Sequence, residues 1–165
     1  MFRKLRTDLV KKLAGIKLVL VNADGFISDG EPDNGAHGTN GIHIGELRGN
    51  DVEFVAFSRS GDDLISSAAE RLGIVLYHGI SENSGFFAGI KEDYAVSDEE
   101  IAFICRDFTD IPIMKMVNFT AATPDAPLDV KAESYFAAYT PGSGVVSEVA
   151  ALILTAKKYP GGWSE

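Results

Sequence analysis

The chain has 165 residues, of which 45% are hydrophobic and 24% charged, with a formal net charge of -9 and an isoelectric point of about 4.8. That length suits one ordinary domain, the apolar share supplies a core and excludes a disordered chain, and the acidity excludes nucleic acid and an anionic membrane surface as main partners. One cysteine, Cys105, cannot close an internal disulfide, and no apolar run reaches the ~18 residues needed to cross a bilayer.

The basic start, Met1-Phe2-Arg3-Lys4-Leu5-Arg6, lacks the apolar stretch of a secretory signal, so a cytoplasmic location is expected. Leu5, Leu9, Val10 and Leu13 recur at helical spacing, opposite Arg3, Lys4, Lys11 and Lys12. This predicts an amphipathic helix within residues 1–14, at the domain edge rather than on a membrane. Residues 16–21, apolar and rich in β-branched side chains, read as a buried strand of a parallel sheet. They lead into Asn22-Ala23-Asp24-Gly25, a loop at the carboxyl end of that strand, where open α/β sheets bind ligands.

Gly, Pro, Asn and Asp dominate residues 29–41, which read as loop. Strands and helices then alternate. Strands are expected at 52–57, 74–77, 101–104, 118–122 and 135–139, and helices at 62–72, 86–94 and 144–158. Asp62-Asp63 suits a helix start, where the macrodipole favours acids, and Gly73 suits its end. Ser97-Asp98-Glu99-Glu100 has helix-start chemistry, and residues 105–110 form the loop after the fourth strand. Repeated β-then-α units predict an α/β fold, a three-layer parallel sheet with helices on both faces, in one domain over residues 1–165 with a tail at 159–165.

Four segments carry a family resemblance. The first is residues 16–30, reading Ile-Lys-Leu-Val-Leu-Val-Asn22-Ala-Asp24-Gly-Phe-Ile-Ser-Asp-Gly. The second is Phe57-Ser58-Arg59-Ser60, and the third is Cys105-Arg106-Asp107-Phe108-Thr109-Asp110-Ile111-Pro112-Ile113-Met114. The fourth is Pro141-Gly142-Ser143-Gly144-Val145-Val146-Ser147-Glu148-Val149. In this order they resemble the motifs of the haloacid-dehalogenase superfamily. The resemblance is to its capless phosphatases that hydrolyse 8-phospho-3-deoxy-octulosonate, whose relatives act on nine-carbon sialic-acid-type sugar phosphates. The resemblance implies a Rossmann-like fold without a separate cap domain.

It also implies a chemistry. One Asp attacks phosphorus to form an aspartyl-phosphate, and a second, two residues on, serves as acid and base. Magnesium held by oxygen ligands screens the phosphate, and a hydroxyl and a Lys bind its oxygens. Carried onto this sequence, the nucleophile position is Asn22, a neutral amide, and the acid/base position is Asp24. The phosphate-binding positions are Ser58, Arg59 and Asn83, the last standing where a Lys is expected. The metal-binding loop supplies Asp107 and Asp110, but its first acid is Arg106. Because a guanidinium keeps its charge, Arg106 is expected to fill the cation site itself, bonded to Asp24, Asp107 or Asp110, the alternative being that it swings out to solvent.

Magnesium is therefore expected in the family and weak or absent here. The family tetramer is built by a β-hairpin after the Asp-Gly. Residues 31–38 are short for that hairpin, so a homo-oligomer of the tetrameric kind is in doubt, as is the sugar-acid specificity that Ser143, in place of an Arg, would serve. A small phosphorylated ligand remains the expected partner. Each catalytic group contributes about 10²–10⁴-fold, so losses at 22, 83 and 106 predict a phosphatase-fold binding or regulatory module. The alternatives are an active magnesium-dependent phosphatase on a sugar-acid phosphate and a module acting in trans with a nucleotide-sugar enzyme. His37, His43 and His78 have no metal-ligand spacing. Cys105 reads as an inert packing thiol, and Trp163 as a tail residue that docks or frays.

Overall fold

The computed structural model describes residues 7–24, 39–80, 83–140 and 144–159. Among them, six parallel strands form one sheet in the order β3-β2-β1-β4-β5-β6: β1 (Leu18–Asn22), β2 (Glu53–Ser58), β3 (Val75–His78), β4 (Ile101–Cys105), β5 (Phe119–Ala122) and β6 (Phe136–Ala137). β1 lies at the centre, pairing Leu18 with Glu53 and Asn22 with Phe57 on one side, and Leu18 with Ile101 and Val21 with Ile104 on the other. All five β1 residues are buried, as a continuous apolar run covered on both faces requires. The chain runs outward from β1 to β3 and then returns to place β4 beside β1. The direction of winding therefore reverses between β1 and β4, the place where open α/β sheets form a ligand crevice at the carboxyl ends of the strands.

Alternate strand residues feed two cores. Val19, Val21, Phe54, Ala56, Ala102 and Ile104 pack under α1 (Thr7–Ala14), α2 (Thr39–Gly49), α3 (Asp63–Leu72) and α7 (Gly144–Lys158). Leu18, Leu20, Val55, Phe57, Phe103 and Cys105 pack under α4 (Asn83–Tyr94), α5 (Ile111–Met114) and α6 (Leu128–Glu133). This is the three-layer arrangement expected from the β-then-α pattern.

Local chemistry explains several boundaries. The Asp62 side chain caps α3 by accepting from Leu64 N, and Gly73 ends it in the left-handed region at φ 69°, which favours glycine. Ser97 donates its backbone N–H to Glu100 Oε1 at 3.0 Å, but the helix so started is a single 3-10 turn at Asp98–Glu100 that runs straight into β4. The expected strand at 135–139 is only the two residues of β6.

Three helices depart from expectation, the short α5 at Ile111–Met114 among them. α2 begins at Thr39, inside the stretch read as loop. Gly41, Gly45 and Gly49 weaken its helical signal, and burial of Ile44 and Leu47 in the core shared with α7 holds it. α6 was not expected either; it follows Pro127 and is anchored by the buried Val130. The basic face of α1 is partly engaged: Lys12 Nζ donates to Asn118 Oδ1 at 2.9 Å and lies 5.0 Å from the centre of the Tyr135 ring. Leu9, Val10 and Leu13 are buried in the core, and no helix among the described residues is long and apolar enough to cross a membrane. The hairpin segment 31–38, His37, Ser143 and residues 160–165 lie outside the described residues.

Candidate functional site

The crevice between β1 and β4 gathers the residues singled out by sequence. Asn22 is the last residue of β1 and is 2% exposed. Its Nδ2 donates to Asp110 at 3.0 Å (Oδ2) and 3.1 Å (Oδ1) and to Asp107 Oδ2 at 3.4 Å. Its Oδ1 accepts from Asp24 N at 2.9 Å. These partners fix which way the amide faces: the carboxylates can only accept and the Asp24 N–H can only donate, so a turned amide would oppose like groups on both sides.

β2 delivers Ser58, which is fully buried, and Arg59 beside it. Both bind Asp24: Ser58 Oγ donates to Oδ1 at 2.6 Å and Arg59 N donates to Oδ2 at 2.9 Å. Ser60 Oγ adds a bond to Asp24 Oδ1 at 3.2 Å. The Ser58 hydroxyl, expected to face a phosphate, is thus aimed at the carboxylate expected to act as acid and base. The Arg59 guanidinium reaches across to the β4 loop, where Nη1 meets Asp110 Oδ1 at 2.8 Å and Nη2 donates to Thr109 O at 3.1 Å.

The β4 loop closes on itself. Asp107 caps the turn at Phe108–Asp110 by accepting from Thr109 N at 3.0 Å, and the Thr109 hydroxyl binds the same oxygen. Asp110 is fully buried and also accepts from Arg106 N at 2.9 Å and Asp107 N at 3.2 Å. Burial pushes its carboxyl up, and the Arg106 N–H, the Asn22 amide and Arg59 oppose that shift. Its hydrogen-bond partners are all donors, so the ionised form is the one this shell suits.

Arg106 does not fill the cation site as expected. Its guanidinium turns away from Asp107 and Asp110 and pairs with Asp125 at 3.1 Å, beyond β5. Arg106 meets Asp110 only through its backbone N–H, at 2.9 Å from Oδ2, while its side chain is drawn to the Asp125 carboxylate. Arg59 is the cation on Asp110 instead. No sequence signal marked Asp125, whereas Ser60 stood inside a quoted motif without a role. Asn83 is the first residue of α4, and its side chain lies outside the described residues.

Among the described residues no three His, Cys, Asp or Glu side chains converge in a metal-holding group. The donor set also fits a divalent ion poorly. Magnesium needs oxygen ligands, but Asp110 is covered by an amide N–H and a guanidinium, and Asp24 by two hydroxyls and a backbone N–H. His78 is exposed at the end of β3, and His43 lies 4.0 Å from Glu46 on α2. Cys105 is fully buried with its Sγ 3.5 Å from Ala121 O, and burial drives the thiol far up from its ordinary range. It should therefore resist iodoacetamide at pH 8 in the native protein and react on addition of guanidinium chloride, as followed by mass spectrometry.

No family model matches the chain. It is 29% identical over 160 residues to the 3-deoxy-D-manno-octulosonate 8-phosphate phosphatase KdsC of Escherichia coli K12, covering 91% of this chain and 85% of that protein. The solved structure of the Yersinia pestis phosphatase of the same name superposes with a TM-score of 0.80 at 28% identity, covering 94% of this chain and 90% of the other. Over most of its length and in its fold the chain is similar to the KdsC phosphatases and to hydrolases of the haloacid-dehalogenase superfamily. Another solved family structure, the Haemophilus influenzae phosphatase in its cobalt-bound form, superposes at a TM-score of 0.78 with 26% identity, covering 89% of this chain and 92% of that one. The Moraxella catarrhalis enzyme, determined with magnesium, phosphate and KDO, shares the fold at a TM-score of 0.80 and 22% identity, over 93% and 94% of the two chains. Solved structures with this fold have thus been determined with cobalt and with magnesium, phosphate and KDO.

Proposed function

We propose that this chain is a KdsC-like protein that binds a small phosphorylated ligand of the sugar-acid class without efficient phosphoryl transfer. The observation that carries this reading is the Asn22 side chain, with Nδ2 on Asp107 and Asp110 and Oδ1 on the Asp24 N–H. A carboxylate at position 22 would stand against two other carboxylates and require a cation to hold it there. The amide satisfies the same neighbours with no ion, and it gives up the nucleophile that an aspartyl-phosphate needs. Replacing one carboxylate by an amide also lessens the repulsion that a phosphate dianion meets beside Asp24, Asp107 and Asp110. The reading places Asn22 and Asp24 at the catalytic positions, Ser58, Arg59 and Asn83 at the phosphate positions, and Asp107, Asp110 and Arg106 at the positions of the metal loop. Magnesium binding, on this reading, is weak or lost.

The relatives' names favour a second reading, an active metal-dependent phosphatase on a sugar-acid phosphate. Asp24, Ser58, Asp107 and Asp110 support it, since each keeps the residue type that the family chemistry uses. It requires that water guided by Asp24 replace the missing nucleophile.

Hydrolysis of p-nitrophenyl phosphate and of 3-deoxy-D-manno-octulosonate 8-phosphate, with and without MgCl2, separates the two. The wild type is expected to show no metal-dependent turnover. Asn22→Asp is expected to raise hydrolysis by less than the full ~10²–10⁴-fold worth of one catalytic group, because position 83 still lacks its Lys. Magnesium-dependent turnover by the wild type would decide for the second reading.

A further inference from the structure

We infer that Arg59 is the resident cation of this site, neutralising Asp110 in place of a divalent ion, so that the pocket is built and held without metal. One residue ties the two halves of the crevice together. Its backbone N–H holds Asp24 Oδ2 at 2.9 Å, and its guanidinium holds Asp110 Oδ1 at 2.8 Å and the Thr109 carbonyl at 3.1 Å. The guanidinium carbon also rests 4.9 Å from the centre of the Phe57 ring, a cation–π contact that fixes where the group lies. The Arg59 side chain is 19% exposed and that of Asp110 0%, so the pair is shielded from water and from salt.

This arrangement excludes a metal ion for three reasons. Asp110 Oδ1 already accepts from Arg59 and Asn22, and Oδ2 from Asn22, Arg106 N and Asp107 N. Presenting the Asn22 carbonyl oxygen to an ion would turn its NH2 group against the Asp24 N–H, donor against donor. A guanidinium never gives up its charge, so an ion arriving at Asp110 meets a fixed positive charge at contact range. Arg59 and Asn22 thus act together: the amide removes one anionic ligand and the guanidinium occupies another.

The inference shares Asn22 with the proposed function but does not stand or fall with it, because its test reads metal binding rather than turnover. Binding of MnCl2 is measured by electron paramagnetic resonance, and thermal unfolding is followed in EDTA and in MgCl2, for the wild type, Arg59→Lys, Arg59→Met and the double variant Asn22→Asp/Arg59→Met. The wild type and Arg59→Lys are expected to leave Mn2+ free, with a Tm that does not move between EDTA and MgCl2. Arg59→Met is expected to unfold at a lower temperature in EDTA, and the double variant Asn22→Asp/Arg59→Met to bind Mn2+, with MgCl2 restoring about 5 °C or more of its Tm. Stoichiometric Mn2+ binding by the wild type overturns the inference directly, whether or not the Met variants fold. A folded Asn22→Asp/Arg59→Met variant that ignores both metals overturns it as well, since Arg59 and Asn22 would then not be what keeps the ion out.

Discussion

Asp110→Ala is expected to destabilise the fold by about 3–5 kcal/mol, the cost of removing one member of a buried charge pair. Asp110 is fully buried and accepts from Asn22, Arg59, Arg106 N and Asp107 N. Its removal strands a guanidinium that is mostly shielded from water, an amide NH2 and two backbone N–H groups, each of which costs free energy when left without an acceptor. Asp107→Ala is the control. Asp107 is half-buried and mainly caps the short turn after β4, so its loss should cost about 1 kcal/mol. Urea unfolding followed by circular dichroism measures both. Equal losses for the two variants would mean that the Arg59–Asp110 pair is not the keystone of the crevice.

Phe103→Ala is expected to cost a similar ~3–5 kcal/mol for a different reason, a cavity under the sheet. Phe103 is fully buried in the middle of β4, and its ring lies 5.9 Å from that of Phe57. β4 is held between β1 and β5, with Phe103 in register with Leu20 on one side and Thr120 on the other, so the backbone has little freedom to collapse into the void. A loss of that size lowers Tm by about 10 °C in a domain of this length. Val75→Ala, on the edge strand β3 and 47% exposed, should change stability by less than about 1 kcal/mol. Scanning calorimetry on the two variants checks the contrast. A Phe103→Ala protein as stable as Val75→Ala would show that the second core repacks freely.

The two variants report on different parts of the same design. Phe103 belongs to the apolar layer that positions β1 and β4, and Asp110 to the polar shell built at their carboxyl ends. The crevice depends on both, because the parallel sheet sets the distance between the Asn22 end of β1 and the β4 loop, and the donor–acceptor pattern locks what lies between them.

The sequence by itself determined the layered parallel sheet and its central strands, and it singled out Asn22, Asp24, Ser58, Asp107 and Asp110, which the fold brings together as a candidate site. Residues 18–21 and 101–104 form continuous apolar runs because both faces of a central strand are covered, and that pattern needs no partner to be read. Residue identity also settled that position 22 carries an amide and position 106 a guanidinium, whatever surrounds them. Only the tertiary structure decided which cation meets Asp110. Arg106 is near Asp110 in sequence, but its backbone N–H makes the contact and its side chain leaves toward Asp125. Arg59, 51 positions away, is delivered by the pairing of β2 with β1. α2 was hidden for a related reason: its glycines weaken the local signal, and long-range packing of Ile44 and Leu47 against the core under α7 overrides it. Local pattern reveals what each segment prefers, whereas charge pairing across a crevice depends on which segments the sheet order brings side by side.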